Sequence, residues 1–375
     1  MKKSFLDAYK DYEFVPTRQD LTDVKAHLRR RSALLRTLGL VPGHLKDSSI
    51  IEFGPGSGEN TIYIANLNPQ KYVLVDGMRS SIDSTLSMQK KYYPHVNAYI
   101  VHSDFFVFES HEKFDAVFCE GAIPTQSNPR LLLEKVARFV KKGGSLVITT
   151  MDAPCILSEG IRRLLARIKI GRSSLNTSHV QTLVEFFKKD LDCLHGMSRR
   201  REDWVIDQII HPWNGPPFSI ADAIEVLGSE FSAHGSSPRF LTDWRWYKTI
   251  YEKDDKFSEI LQESYLSNLH NFIDWRFSLP PTQYEYNKRL LDLCNQIYEL
   301  QFQIENGALP FDFDEIIGLL SRISNECPQL HPDTKLGIVK AIELLSSKQP
   351  LAECELLGWW GRGQQYLSFI KNQDI

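Results

Sequence analysis

Three glycines alternate at Gly54, Gly56 and Gly58, with one carboxylate just before them, Glu52, and another just after, Glu59. Glycine at that spacing lets a backbone turn tightly and lie directly against a ligand, because no Cβ stands between them. Nucleotide-phosphate loops use the same device, but a dinucleotide fingerprint wants its third glycine one residue later and a small residue where Glu59 stands. A carboxylate at that helix N-terminus would face the phosphates and repel them. The loop therefore suits a ligand with positive rather than negative charge. About 20 residues further on comes Asp76, whose two oxygens can accept side by side from a diol. Asp104, Glu120 and His211 complete the set of titratable candidates. Glu120 and His211 are the candidate general bases: a carboxylate at a strand tip, and an imidazole whose ordinary pKa lies near neutrality. A hydrogen-bonded structural histidine at a turn is the other reading of His211.

The elements that must position these residues follow from hydrophobic periodicity. The apolar run Ser49-Ile50-Ile51-Glu52-Phe53 is short enough for a buried parallel strand, and a helical pattern through Thr61, Ile62, Ile64 and Leu67 follows the glycines. Further strands are expected at residues 71–76, 98–101, 114–121 and 145–150, alternating with helices, one of them at residues 129–140. The glycine spacing with Glu52 resembles motif I of class I S-adenosylmethionine (SAM)-dependent methyltransferases. Phe114-Asp115-Ala116-Val117 is similar to the F-D-x-V of their fourth strand, and Lys141-Lys142-Gly143-Gly144 to the K-P-G-G before their fifth. The resemblance covers strands one to five.

It implies SAM as cofactor, held by Glu52, Gly54, Gly56, Gly58 and Asp76. Asp76 would take the ribose, Met78 the adenine face, and Asp104 with Phe105 the adenine edge; Cys119 and Glu120 would end the fourth strand beside the transferring methyl. Met78 is also an ordinary core filler, and Asp104 an ordinary turn cap. In many members a segment before the first helix folds over the cofactor, so Tyr9 and Tyr12 are candidates for the acceptor side, with packing on the core as the alternative. Gln208, Trp213 and Asn214, beside His211, are further acceptor candidates; Trp213 fits a buried core position equally well.

The implied fold is α/β, a seven-stranded Rossmann-like sheet with additions. Residues 1–48 read as a helical N-terminal arm, 49–151 as the SAM-binding core, and 152–212 as a helical lid insertion. Residues 213–253 supply the last helix and an edge hairpin whose second strand is expected at 243–250. Residues 254–375 are read as an all-α extension, a surface for a partner, with the tryptophans Trp359 and Trp360 docked on the chain itself. Arg29-Arg30-Arg31, Arg162-Arg163 and Arg199-Arg200-Arg201 are either solvated or salt-bridged faces or, alternatively, contacts to RNA.

Across 375 residues the formal net charge is −3 and the pI about 6.4, which gives no global attraction to nucleic acid or anionic membrane. The six cysteines are scattered without a C-x-x-C pair, arguing against a disulfide framework or a metal site. The first ten residues carry charges too early for a signal sequence, so a cytoplasmic protein is expected. The function expected is methyl transfer to an O or N atom of a small molecule or glycan precursor. RNA or protein methylation, and non-catalytic SAM binding by a scaffold, are the alternatives.

Overall fold

The computed structural model describes residue 15 and residues 17–124, 126–171, 175–213, 215–250, 256–347 and 351–373. The chain divides into two compact units. One comprises Met1–Met151, Asn214–Ser264 and Gln364–Ile375; the other comprises Asp152–Trp213 and Tyr265–Gly363.

The first unit is built on one sheet of seven strands: β1 Ser49–Phe53, β2 Lys71–Asp76, β3 Ala98–His102, β4 Phe114–Cys119, β5 Val140–Thr150, β6 Phe231–Ser237 and β7 Gln365–Lys371. Their order is β3-β2-β1-β4-β5-β7-β6. β1 to β5 are parallel, and β7 runs antiparallel between β5 and β6. Ile50, Ile51 and Phe53 of β1 are fully buried, as the centre of a parallel sheet covered on both faces requires. Each such side chain contributes about 1.5–3 kcal/mol relative to exposure. The order reverses at β1 and β4, so their carboxyl ends open a crevice, and the glycine loop lies there.

Helix Val24–Thr37 belongs to this unit. Asp23 caps it by accepting from the Ala26 amide at 2.9 Å, and His27, Arg31 and Leu35 form its buried stripe at four-residue spacing. Its end is fixed to the sheet: Ser368 of β7 donates to the Leu38 carbonyl at 2.6 Å. A Cβ at Gly235 of β6 would stand 2.6 Å from the Leu38 backbone, so only glycine allows that approach. Helix Ile220–Leu227 starts where expected, with Ser219 and Asp222 in a reciprocal cap.

Three expectations need correction. Residues 243–250 do not form the final strand; Tyr247–Thr249 is a single 3-10 turn, and β7 comes instead from Gln365–Lys371 at the far end of the chain. The 213–253 segment therefore supplies β6 without a hairpin partner, and the 254–375 extension is not all-α. Alternating aromatic and polar residues mark both segments as strand formers, but pairing is decided by which one can fill the sheet faces. Leu367 and Phe369, both fully buried, do so. The third correction concerns the Lys141-Lys142-Gly143-Gly144 turn, which lies inside β5 at a register shift opposite Phe114 and Ala116.

In the second unit the expected insertion and extension fold together, so 152–212 is half of a helical body rather than a self-standing lid. Helix Ala153–Lys169 is buried from Ala153 to Ala166 without a solvent face, and it packs on helix Tyr284–Glu305. Gly160 permits that packing, since a Cβ there would strike the Gln301 side chain. Shorter helices Val180–Phe186, Lys188–Asp192 and Arg201–Trp204 follow, and Val205–Ile210 forms a π-turn. Asp314–Glu326 and Pro332–Leu345 complete the body.

Its core carries ion pairs. Arg162 donates to Asp190 at 2.8 Å with both side chains fully buried, and Arg163 pairs with Glu305 at 2.5 Å with 1% and 8% exposure. Trp360 lies under the Arg162 guanidinium at 3.4 Å and donates to the Asp190 carbonyl, while Trp359 donates to Ile273. The paired tryptophans are thus docked on their own chain, as their sequence context implied. No described helix is long and apolar enough to cross a membrane.

Candidate active site

Gly54, Gly56 and Gly58 hold φ values of +78°, +58° and +86°, in the left-handed region that L side chains rarely adopt. Space is short as well as conformation: a Cβ at Gly56 would sit 3.0 Å from the Thr17 hydroxyl, and one at Gly54 3.4 Å from both Ala122 and Phe105. Thr17 precedes helix Val24–Thr37, so the described end of the arm lies against the glycine loop. His27 of that helix hydrogen-bonds the Glu59 carbonyl at 3.0 Å.

Asp76 sits at the tip of β2 and is 5% exposed. Its carboxylate accepts from the Gly56 amide at 3.3 Å and the Met78 amide at 2.9 Å, which tethers the glycine loop to β2. Lone pairs remain for a diol. Burial pushes its pKa up to about 6, against those stabilising hydrogen bonds.

Glu52 accepts from the Tyr72 hydroxyl. Burial, with the Glu120 charge adding to it, pushes its pKa up to about 7. Glu59 is also raised by burial and accepts from Ser57. Beneath the loop, Thr61 donates to the Gly58 carbonyl at 2.7 Å and bonds the Tyr93 hydroxyl at 2.8 Å.

Glu120, at the tip of β4, is held by Arg31 through two parallel hydrogen bonds of 2.8 and 2.7 Å, with the side chains 8% and 7% exposed. In the sequence Arg31 is hidden in one basic run with Arg29 and Arg30. The usable signal was its position four residues from both His27 and Leu35, on the apolar stripe. Arg29, by contrast, is 70% exposed.

Phe105 packs edge-on against Phe53 at 6.0 Å, closing one side of Gly54. Asp104 accepts from the Phe106 amide at 2.8 Å and so caps its turn. Met78 and Cys119 are buried, and burial raises the Cys119 thiol.

The acceptor candidates fall in the helical unit or outside the described residues. Tyr9, Tyr12 and Asn214 lie outside the described residues. His211, Gln208 and Trp213 belong to the helical unit, where Arg163 takes the carbonyls of Gln208 and His211 at 2.9 and 2.8 Å. Trp213 stacks on Tyr298 at 5.4 Å and under Arg163 at 4.7 Å. Burial lowers the His211 pKa to about 4, which makes it a weak base at neutral pH. Among the described residues no group of three or more His, Cys, Asp or Glu side chains is placed to hold a metal ion.

At the carboxyl ends of β1, β2 and β4 lie three carboxylates, of which only Glu120 is paired with a guanidinium, that of Arg31. That surplus of negative charge, with backbone laid bare by three left-handed glycines, fits SAM: a cationic sulfonium and ammonium beside a ribose diol. A phosphate-bearing cofactor would meet repulsion at the same place.

Residues 25–191 match the model of a family described as a methyltransferase domain. The match begins in helix Val24–Thr37, takes in β1 to β5 and enters the helical unit. Over those residues the chain is similar to a methyltransferase domain, and its strand order is that of a Rossmann-like α/β sheet.

Solved structures similar to it include the N-methyltransferase NodS from Bradyrhizobium japonicum, 19% identical, covering 39% of this chain and 74% of that one at a TM-score of 0.32. A putative methyltransferase from Bacillus halodurans is 15% identical over 56% of this chain and 71% of its own, with a TM-score of 0.32. A SAM-dependent methyltransferase from Clostridium acetobutylicum is 14% identical over 35% and 52%, with a TM-score of 0.29, so this chain spans about half of its length. No curated protein matches the chain. The methyltransferase domain accounts for the glycine loop and strand tips, while most of the helical unit lies beyond the matched residues.

Proposed function

We propose that this protein transfers the methyl group of SAM to an O or N atom of a small molecule or glycan precursor. The observation that carries the reading is the surplus of buried carboxylate around the left-handed glycine loop. SAM brings the electrophile, a methyl on sulfonium, and the protein has to bind, orient and keep out water. Asp76 takes the ribose diol, and the bare backbone at Gly54 and Gly56 lies against the methionine part. Glu52 supplies negative charge beside the ligand's cation. Thr17 closes over the loop.

Glu120 is assigned to the acceptor. Two of its lone pairs go to Arg31 and the rest stay available. Arg31 therefore fixes the carboxylate's direction while Glu120 accepts a hydrogen bond from the incoming hydroxyl or amine. Alignment of the acceptor is part of this role. His211, whose pKa burial lowers to about 4, is assigned no general-base role in this reading.

The alternative of RNA methylation loses support, because Arg162 and Arg163 are spent on buried partners and Arg199 and Arg201 pair with Asp207 and Asp192. All six cysteines are free thiols, and the cytoplasm is the compartment this reading assigns.

Calorimetric titration with SAM and its demethylated product tests the cofactor assignment. Wild-type protein should bind both, and a Gly56→Val variant with an unchanged circular dichroism spectrum should bind neither. Unchanged affinity in that variant would sink the assignment. Labelled SAM added with protein to a size-fractionated cell extract tests the acceptor. Label should appear among small molecules; label in RNA or protein selects the alternative, and tight SAM binding with no label in any fraction selects a scaffold.

A further inference from the structure

The stretch Asp243-Trp244-Arg245-Trp246-Tyr247-Lys248, whose pattern reads as a strand, leaves its aromatic rings in solvent. Trp244 is 91% exposed, Tyr247 70% and Trp246 61%. Nothing in the fold accounts for that apolar surface, and none of these residues belongs to the methyltransferase site.

We infer that this loop is an anchor that seats the protein on an anionic membrane surface. Trp and Tyr, with an apolar body and a polar handle, favour the headgroup level of a bilayer. The charges are arranged for the same place. Arg245 is turned back onto Asp243 at 2.8 Å and over the Phe257 ring at 5.0 Å, so that pair is locally neutral. Lys248 instead lies over Trp246 at 5.1 Å and Tyr247 at 5.9 Å, its ammonium beside the rings that would enter the interface. With Arg239, residues 238–250 carry three cations against one carboxylate, in a chain whose formal net charge is −3. A local cationic excess beside exposed aromatics is complementary to acidic lipid.

Size separates this occupant from a folded protein. Three rings of this exposure offer roughly 300–600 Å², short of the roughly 800 Å² per side of a stable protein interface. A few aromatic and basic residues suffice for reversible attachment to a bilayer. Single-stranded nucleic acid also stacks on aromatic rings, but it needs a basic groove that tracks the backbone. The loop offers Lys248 alone beside its rings.

Flotation with phosphatidylcholine vesicles, with and without phosphatidylglycerol, tests the inference. The protein should float with the phosphatidylglycerol-containing vesicles, and less as salt is raised. Trp244→Ala/Trp246→Ala should reduce the partition by about tenfold or more, with unchanged circular dichroism and unchanged SAM binding. Lys248→Glu should reduce it only for the anionic vesicles. Wild-type protein that ignores both vesicle types, or a double variant that floats like wild type, overturns the anchor. So does a concentration-dependent sedimentation coefficient, or oligonucleotide binding, that the double variant abolishes while vesicles are ignored; these reassign the loop to a second copy of the chain or to single strands.

Discussion

Both units bury charge, and they do it in opposite ways. In the helical unit each buried guanidinium has its carboxylate: Arg162 with Asp190, Arg163 with Glu305. At the strand tips of the methyltransferase unit, Glu120 alone is paired, with Arg31, while Glu52 accepts from a tyrosine hydroxyl and Asp76 from backbone amides. Matched charge costs little once formed and holds packing in one arrangement. Unmatched charge raises the free energy of the folded chain unless a ligand offsets it, so it marks a place where a ligand belongs. The pKa directions of the paired and unpaired groups differ. Burial raises Glu52 and Asp76, and also Glu159, which has no ion pair among the described residues; it would raise Glu305 too, but Arg163 with Arg167 and Gln301 more than offsets it and Glu305 is lowered.

The contrast is broken most directly by taking one member from a matched pair. Glu305→Gln leaves Arg163 buried and uncompensated, and should cost about 3–5 kcal/mol, read as a fall in the thermal midpoint of the helical unit. Glu52→Gln removes unmatched charge and should leave the midpoint unchanged or raise it, while weakening SAM binding. Equal destabilisation by the two variants would end the distinction.

Glu120 sits on the boundary between the two kinds of charge, being both paired and placed at the reacting end. Glu120→Gln should cut turnover at saturating SAM by about a hundredfold, with little change in SAM affinity. Arg31→Lys keeps the charge but loses the two-pronged geometry, and should lower turnover by less. Turnover left intact by Glu120→Gln, with SAM binding weakened, would make Glu120 a cofactor ligand instead.

Acid should act on the two units with opposite sign. A carboxylate raised from 4.5 to about 7, as Glu52 is, binds more protons folded than unfolded between those values. Its contribution to stability therefore falls as pH rises through that window and is constant above it. Glu305, held below its ordinary 4.5, contributes stability that is present above that value and lost as pH falls through its depressed pKa. Thermal midpoints of wild type and Glu52→Gln, compared at about pH 5 and about pH 8, should diverge at the higher pH, with the variant gaining. Parallel curves would show that Glu52 titrates normally. The smallest effect is expected from Arg29→Gln and Arg30→Gln, which should change neither midpoint nor SAM affinity, because Arg29 is solvated and distant charges on a surface are screened.

Much of the methyltransferase unit was legible in the sequence because its signals are local. β1 to β4 lie within a residue or so of the periodic apolar runs. The glycines need their φ values whatever surrounds them, and a carboxylate ending a strand is placed by that strand alone. Asp104 is the exception: its amide hydrogen bond to Phe106 satisfies the turn-cap reading, and the local pattern did not choose between the two.

What the sequence determined by itself was therefore the order of strands one to five, the glycine loop, and the carboxylates at the strand tips. Tertiary structure decided everything that depended on a distant partner. Residues 243–250 and 365–371 carry the same strand-forming pattern, and only packing against β5 and β6 selects the second. Arg31 and Arg29 have the same chemistry two residues apart on one helix, and only the helix's contact face gives one to Glu120 and leaves the other in water. Arg162 and Arg163 read as a basic patch until Asp190 and Glu305 arrive from elsewhere in the chain. Periodicity fixes which way a side chain points along its own element, but the charge or strand that meets it is set by long-range packing.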